Sequence, residues 1–447
     1  MFTRRGVIAG GSALLGACAA PGVVPGATPS PLGFVRREGT QFRIGGRPYH
    51  YAGTNMWYAA FLGADAPIGD RARLGREFDR LTALGVNNVR IAGSAELSPL
   101  KNSVTPGFRD RSSNYNETLL RGLDHALAEL GSRNMKAVIY LTNFWEWSGG
   151  MMTYLFWNNG GNYINMNDPA HPWPEFPDYN SGFYANASAV RMYHDYVRAV
   201  VTRRNTVTGK LYVDDPAIMS WQLANEPRPA GSDAKIAQMM PAFLAWVNST
   251  ARLIKSLDPN HLVSTGSEGT MGCGGNADCV THEHSGLDID YLTAHIWPQN
   301  WSWVKADDLA GTWPAAQTKV RDYIAQHVTI AQSLNKPLVI EEFGLGREGG
   351  SFDPAAQTTY KDLYYRAIYD AVENSVRSGG PLQGSNFWGW SGEGRAQHPD
   401  FHFVRGDTSY VADPPHEPQG WYGVFDSDAS TQAIVRAHAA AVGATAA

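Results

Sequence analysis

From residue 47 onward the chain alternates eight times between a short strand-like run and a longer amphipathic stretch. The strand-like runs fall at 47–57, 86–91, 136–144, 217–224, 261–266, 289–297, 336–343 and 383–390. Between them the helical period is plain. Residues 71–85 place Leu74, Phe78, Leu81 and Leu84 on one face and stop at Gly85. Residues 117–134 do the same with Leu119, Leu120, Leu123, Leu127 and Leu130. Further helices are expected near 184–203, through Phe243, Val247, Ile254 and Leu257, and near 317–334, 358–376 and 431–441. Eight strand–helix units with no linker between them predict an α/β fold, a (β/α)8 TIM barrel, across residues 32–447. About 250 residues suffice for such a barrel. The excess must therefore lie in loops, the longest at 146–178, 268–288 and 393–430. All three follow strands, so they rise over the C-terminal face, where barrel enzymes work.

Two strands end in a carboxylate and then a chain breaker. The fourth reads Trp221-Gln222-Leu223-Ala224-Asn225-Glu226-Pro227, and the seventh Val339-Ile340-Glu341-Glu342-Phe343-Gly344. An apolar run of this kind is a buried strand that delivers one charged residue to the barrel rim. A buried, unpaired carboxylate is expensive, so two at strand ends indicate a site rather than packing. Strands four and seven are not neighbours in an eight-stranded barrel, so their ends face each other across its mouth. Two carboxylates facing one cleft are the equipment of glycoside hydrolysis. A helix cap or salt bridge would explain Glu226 alone, and an ion pair with Arg90 would explain Glu342 alone. Neither explains both on these strands. Because a strand alternates sides, Glu341 and Glu342 are not expected to share the interior, and spacing alone does not choose between them.

Composition narrows the class. A net charge of -5 leaves no basic footprint for nucleic acid. Charged residues make up only 18%, whereas aromatics reach 11% with 14 Trp, suited either to a large core or to stacking on sugar rings. The N-terminus reads as an export segment, residues 1–31. Thr3-Arg4-Arg5-Gly6-Val7-Ile8 has the twin-arginine pattern, and the apolar stretch 7–17 is too short for a permanent span. Leu15-Gly16-Ala17-Cys18 has the form of a lipobox, with Cys18 as the lipidated residue and 19–31 as a tether. The alternative is plain cleavage among the neighbouring alanines. An anchored protein would meet the membrane only through that lipid. Cys273 and Cys279 are close in sequence, and in an exported protein they are expected to form a local disulfide. His282-Glu283-His284 follows them, but the spacing does not make a zinc site, and no metal is expected.

The segments Leu223-Ala224-Asn225-Glu226-Pro227 and Glu342-Phe343-Gly344 resemble glycoside hydrolase family 5. Gly53-Thr54-Asn55-Met56-Trp57-Tyr58, residues 143–151 and His295-Ile296-Trp297-Pro298-Gln299-Asn300-Trp301 are similar to its β-mannanase subfamily. The resemblance spans nearly all of residues 35–440 and implies an endo-acting, retaining β-1,4-mannan hydrolase. It implies Glu226 as acid/base and Glu342 as nucleophile, with no cofactor. Asn225 would bond the sugar 2-hydroxyl, Arg90 would keep the nucleophile ionised, and His295 would sit beside the acid/base. Trp388 would be the platform beneath the sugar, and Trp57, Asn143 and Trp297 would complete the substrate site. Trp297 departs from the family pattern, where Tyr is common; an indole can donate but not accept. The substrate implied is β-mannan or manno-oligosaccharide, and a monomer is expected. An exo-acting β-mannosidase is the nearest alternative, with the Pro-rich 393–430 loop blocking one end of the cleft. A β-glucanase and a non-catalytic sugar-binding barrel are the more distant ones.

Overall fold

The computed structural model describes residues 33–445. The proposed export segment, Cys18 included, lies outside them. Eight parallel strands form one sheet: β1 (Tyr51–Asn55), β2 (Asn88–Ala92), β3 (Lys136–Tyr140), β4 (Ile218–Gln222), β5 (Leu262–Ser264), β6 (Leu292–Ile296), β7 (Leu338–Phe343) and β8 (Leu382–Phe387). Every residue in them is buried, as the strands of an all-parallel sheet must be when helices cover one face and a core the other. The hydrogen-bonded order is β5-β4-β3-β2-β1-β8-β7-β6. The seam between β5 and β6 is stitched outside a regular ladder. Asp290 N donates to Val263 O at 2.7 Å, and His295 N donates to Glu268 O at 3.0 Å. The result is a nearly closed (β/α)8 barrel.

The main helices are α1 (Arg71–Ala83), α2 (Glu117–Ser132), α3 (Ala187–Val201), α4 (Asp233–Leu257), α5 (Ala277–His284), α6 (Leu309–Leu334), α7 (Thr359–Ser378) and α8 (Ala429–Ala444). Their ends follow local chemistry. Asp70 caps α1 by accepting from Arg73 N at 2.8 Å, and Asn186 caps α3 by accepting from Ala189 N at 3.0 Å. Gly379 ends α7 in the left-handed region at φ 71°, which favours glycine.

Several features differ from the sequence expectation, among them a helix at Gly150–Asn158 inside the 146–178 loop and an α4 that begins at Asp233. Residues 268–288 read as loop but contain α5, a helix of 8 residues, too short for a long periodic signal. Helix α6 starts at Leu309 rather than 317, because Asp308 caps it and it accommodates Pro314 near its start. Ahead of the barrel, Val35–Glu38 and Gln41–Ile44 pair as an antiparallel hairpin. Its Val35 and Phe42 close the barrel floor against Val138, Met219, Leu262 and Val339. Among the described residues no helix is long and apolar enough to cross a membrane.

Candidate active site

The C-terminal ends of β4 and β7 face each other across the barrel mouth, carrying Glu226 and Glu342. Both side chains are buried, and both line a cavity of about 710 Å³. Six of the 14 tryptophans line it as well: Trp145, Trp147, Trp173, Trp297, Trp301 and Trp388. Glu226 stands just past β4 with φ at 48°, a conformation disfavoured for a residue with a Cβ and typical of functional positions. Its backbone N donates to Gly266 O at 2.9 Å, which helps hold that bend.

The interior alternation expected at Glu341 and Glu342 does not hold. On the β6 side Ile340 pairs with Ala294 and Glu342 with His295, so the register shifts across Glu341. Two residues of β7 oppose one of β6, and strict alternation is lost there. Both carboxylates consequently approach Arg90. Its Nη1 donates to Glu342 Oε1 at 2.5 Å, and its Nε lies 3.5 Å from Glu341 Oε2. Arg90 is itself locked in place, donating to Gln222 Oε1 at 2.7 Å, Asn55 Oδ1 at 3.1 Å and Asn225 Oδ1 at 2.8 Å. Gln222 Nε2 in turn donates to both oxygens of Glu341 at 2.7 Å. Glu341 is thus a buried structural counter-charge, and Glu342 faces the cavity.

His295, at the end of β6, couples the two facing carboxylates. Its Nδ1 is 2.7 Å from Glu226 Oε1 and 3.3 Å from Glu342 Oε2. Trp145 Nε1 donates to the other oxygen of Glu226 at 2.5 Å. Burial pushes the Glu226 carboxyl up, but the bond and charge of His295, then Arg228 and Trp145, outweigh it and hold it at about 2. Burial also opposes protonation of His295, yet Glu342, Glu226 and Glu341 raise it well above its ordinary 6.5. Both directions favour the proton on the imidazole over the Glu226 carboxyl. Facing oxygen and nitrogen atoms of Glu226, His295 and Glu342 lie within 4.8 Å of one another. That spacing would also suit a metal ion, but the Arg90 guanidinium already supplies the positive charge at Glu342.

The other expected site residues divide in two. Asn225, Trp297 and Trp388 line the cavity. Trp297 packs edge-on to Trp388, with ring centroids 6.0 Å apart, and against Tyr422 at 4.9 Å. Trp57 and Asn143 do not line it. Trp57 is buried beneath Trp147, at 5.4 Å, and donates to Ala412 O at 2.9 Å. Asn143 Oδ1 accepts from Trp145 N and from Asn225 Nδ2, both at 3.1 Å, so it positions two residues that do. Cys273 and Cys279 are joined by a disulfide.

Four ionisable lining residues had not been singled out in the sequence. Arg228 lies between the faces of Trp145 and Trp173, at 5.1 and 5.4 Å, and its Nη2 donates to both oxygens of Glu268 at 2.6 and 2.7 Å. Glu268 follows β5 just as Glu226 follows β4, so the same strand-then-carboxylate signal could have found it. Burial, with the neighbouring Glu226, raises Glu268 to about 7 against the pull of Arg228. His416 and Glu417 come down from the 393–430 loop. No local pattern marks them.

A (β/α)8 barrel whose fourth and seventh strands oppose two carboxylates in an aromatic cavity is a glycoside hydrolase architecture. The chain belongs to glycoside hydrolase family 5: the β-mannosidase-like model of that family matches residues 32–446. Mannan endo-1,4-β-mannosidase 1 of Arabidopsis thaliana is 32% identical over 371 residues, covering 80% of this chain and 81% of its own. A family 5 mannosidase from Rhizomucor miehei superposes with a TM-score of 0.84 at 33% identity, over 93% of this chain and 99% of that one. An endo-1,4-β-mannanase from the same fungus gives 0.65 at 25% identity, over 92% and 99%.

Proposed function

We propose that the protein is a retaining glycoside hydrolase that cleaves β-1,4-mannosidic bonds in mannans and manno-oligosaccharides. The observation that carries the reading is the approach of the two carboxylates, one oxygen of each lying within 4.8 Å of the other. Retention needs about 5–5.5 Å between the groups, whereas inversion needs about 6.5–9.5 Å to admit a water. Mannose as the substrate sugar rests on the names of the relatives.

The roles follow from the partners. Glu342, held by Arg90, is the nucleophile, and its oxygen attacks the anomeric carbon. The imidazole proton passes from His295 Nδ1 to Glu226, which delivers it to the glycosidic oxygen as the bond to the leaving sugar breaks. Glu226 then takes a proton from water, whose oxygen displaces Glu342 from the anomeric carbon. Asn225 spends one amide proton on Asn143 and keeps the second for the sugar 2-hydroxyl. Trp388 forms the floor. No step calls for a cofactor.

Endo action is the first reading, in line with the curated relatives. Exo action is the second, and one observation favours it: Pro414, His416 and Glu417 of the 393–430 loop reach into the cavity lining. A time course on linear β-1,4-mannan and mannohexaose decides between them. A rapid fall in polymer size with a spread of oligomers is the endo outcome. Mannose or mannobiose accumulating while polymer size holds is the exo outcome. No product from either substrate would refute the mannan reading. We further propose export by the twin-arginine route and lipidation at Cys18, on the motifs of residues 3–18. Radiolabelled palmitate incorporated by the wild type and not by C18S is the expected result.

A further inference from the structure

The side of the cavity that receives the leaving sugar can be located from the proton donor. The glycosidic oxygen must sit against Glu226, so the departing sugar extends past Glu226, away from Glu342. Beyond Glu226 come Arg228 and its partner Glu268, and Glu268 roots the loop that runs to α5. Met271, Gly274 and Gly275 of that loop line the cavity.

This loop is held unusually tightly. At its root Tyr323 Oη donates to Glu268 O at 2.6 Å, and Thr270 N donates to His327 Nε2 at 3.0 Å. It closes on itself through Gly275 N to Thr270 O at 2.7 Å. Asn276 caps α5 by accepting from Asp278 N at 2.8 Å. The Cys273–Cys279 disulfide then joins the turn to the first turn of α5, with both cysteines buried. Gly274, Gly275 and Asn276 are exposed at the tip, the two glycines with left-handed φ of 62° and 82°. A Cβ added at Gly275 would meet nothing within 4 Å, so open space adjoins bare backbone there.

We propose that this disulfide-closed loop, residues 270–276, sets the affinity for the leaving sugar. Its Met271 thioether and exposed glycine backbone form a wall for a neutral, hydroxyl-bearing ring. The disulfide acts as a positioning element: a wall ordered in advance loses little freedom when the sugar arrives. Cys273 and Cys279 do not line the cavity themselves, so their effect must pass through the loop. The inference rests on the β-mannoside reading above.

The test compares two substrates on purified full-length protein. Mannotriose places a sugar against the wall, whereas β-mannosyl fluoride has a leaving group that needs no wall. In the C273S/C279S double variant, KM for mannotriose is expected to rise by about fivefold or more, while turnover of the fluoride stays within about twofold. Met271→Ala keeps the disulfide and shortens the wall; it too is expected to raise KM for mannotriose. Unchanged KM in both variants would overturn the assignment. So would a parallel fall on both substrates in the double variant, which would place the disulfide's effect on the fold or the reacting centre. A wild type inert on both substrates would instead overturn the mannoside reading, and the wall with it.

Discussion

Glu226 and Glu342 differ by what holds them rather than by residue type. Glu342 faces a fixed guanidinium, and Glu226 lies 2.7 Å from His295 Nδ1. Azide separates the two roles. In Glu226→Ala, turnover of mannotriose should fall by about 10²–10⁴-fold. Azide needs no general base, so it should attack the glycosyl-enzyme and yield the β-mannosyl azide from the fluoride. In Glu342→Ala no glycosyl-enzyme can form. Azide should then enter the vacated space and displace fluoride from the β-fluoride with a single inversion, giving the α-mannosyl azide. A β-azide formed from the β-fluoride by Glu342→Ala and not by Glu226→Ala would show the roles to be exchanged. Arg90 belongs to the same scale. It answers two carboxylates at once only because the β7 register shift brings Glu341 and Glu342 toward it together.

At the scale of elements, the barrel's helices are held by single apolar faces. Helix α2 buries Leu119, Leu120, Leu123, Leu127 and Leu130. Leu123 is wholly inaccessible, so Leu123→Ala should destabilise the protein by about 2–5 kcal/mol, read by denaturant unfolding. Activity per folded molecule should persist, since Leu123 does not line the cavity. A loss below about 1 kcal/mol would mean that the site collapses around the missing atoms. The loops over the C-terminal face act differently. The 393–430 segment is braced internally by Gln419, whose Nε2 donates to Asp413 O and Pro414 O at 3.1 Å, and docks through Tyr422, whose hydroxyl donates to Asn300 Oδ1. It thereby delivers Glu417 to the cavity from far along the chain.

The whole molecule carries several buried carboxyls that prefer to stay protonated. Burial raises Glu96, Glu146 and Glu268 to about 7, and Glu283 to about 8. Each keeps its proton in the folded state at pH values where the unfolded chain, near 4.5, has released it. Stability therefore falls as pH rises through that interval. The raised imidazole of His295 acts in the same direction, its contribution being lost as pH climbs above 6.5. The buried histidines His284, lowered to about 3, and His327 and His416, lowered to about 4, add stability with rising pH only up to 6.5. Between pH 6.5 and 8 the carboxyls and His295 act in the same direction, and the unfolding midpoint should drop. Glu283→Gln should reduce that slope. A midpoint that is flat or rises across the window would contradict the assignment.

The barrel and its two opposed glutamates were legible in the sequence because each rests on local pattern. Strand-like runs, helical periodicity and a carboxylate at a strand end are written within a few residues of one another. The same pattern marks Glu268, which could have been read from it. Trp57 and Asn143, by contrast, belong to segments that point to the site, yet side-chain packing makes them supports of Trp147, Trp145 and Asn225. Glu341 reaches Arg90 through a register shift set by β6, a strand outside its own segment. Arg228 finds Glu268 only once β4 and β5 are paired. His416 and Glu417 enter the cavity because the 393–430 loop folds back over the mouth. Local sequence determines which element forms and what chemistry it carries. Which side chains meet depends on register, loop return and packing across distant segments, and tertiary structure alone decides that.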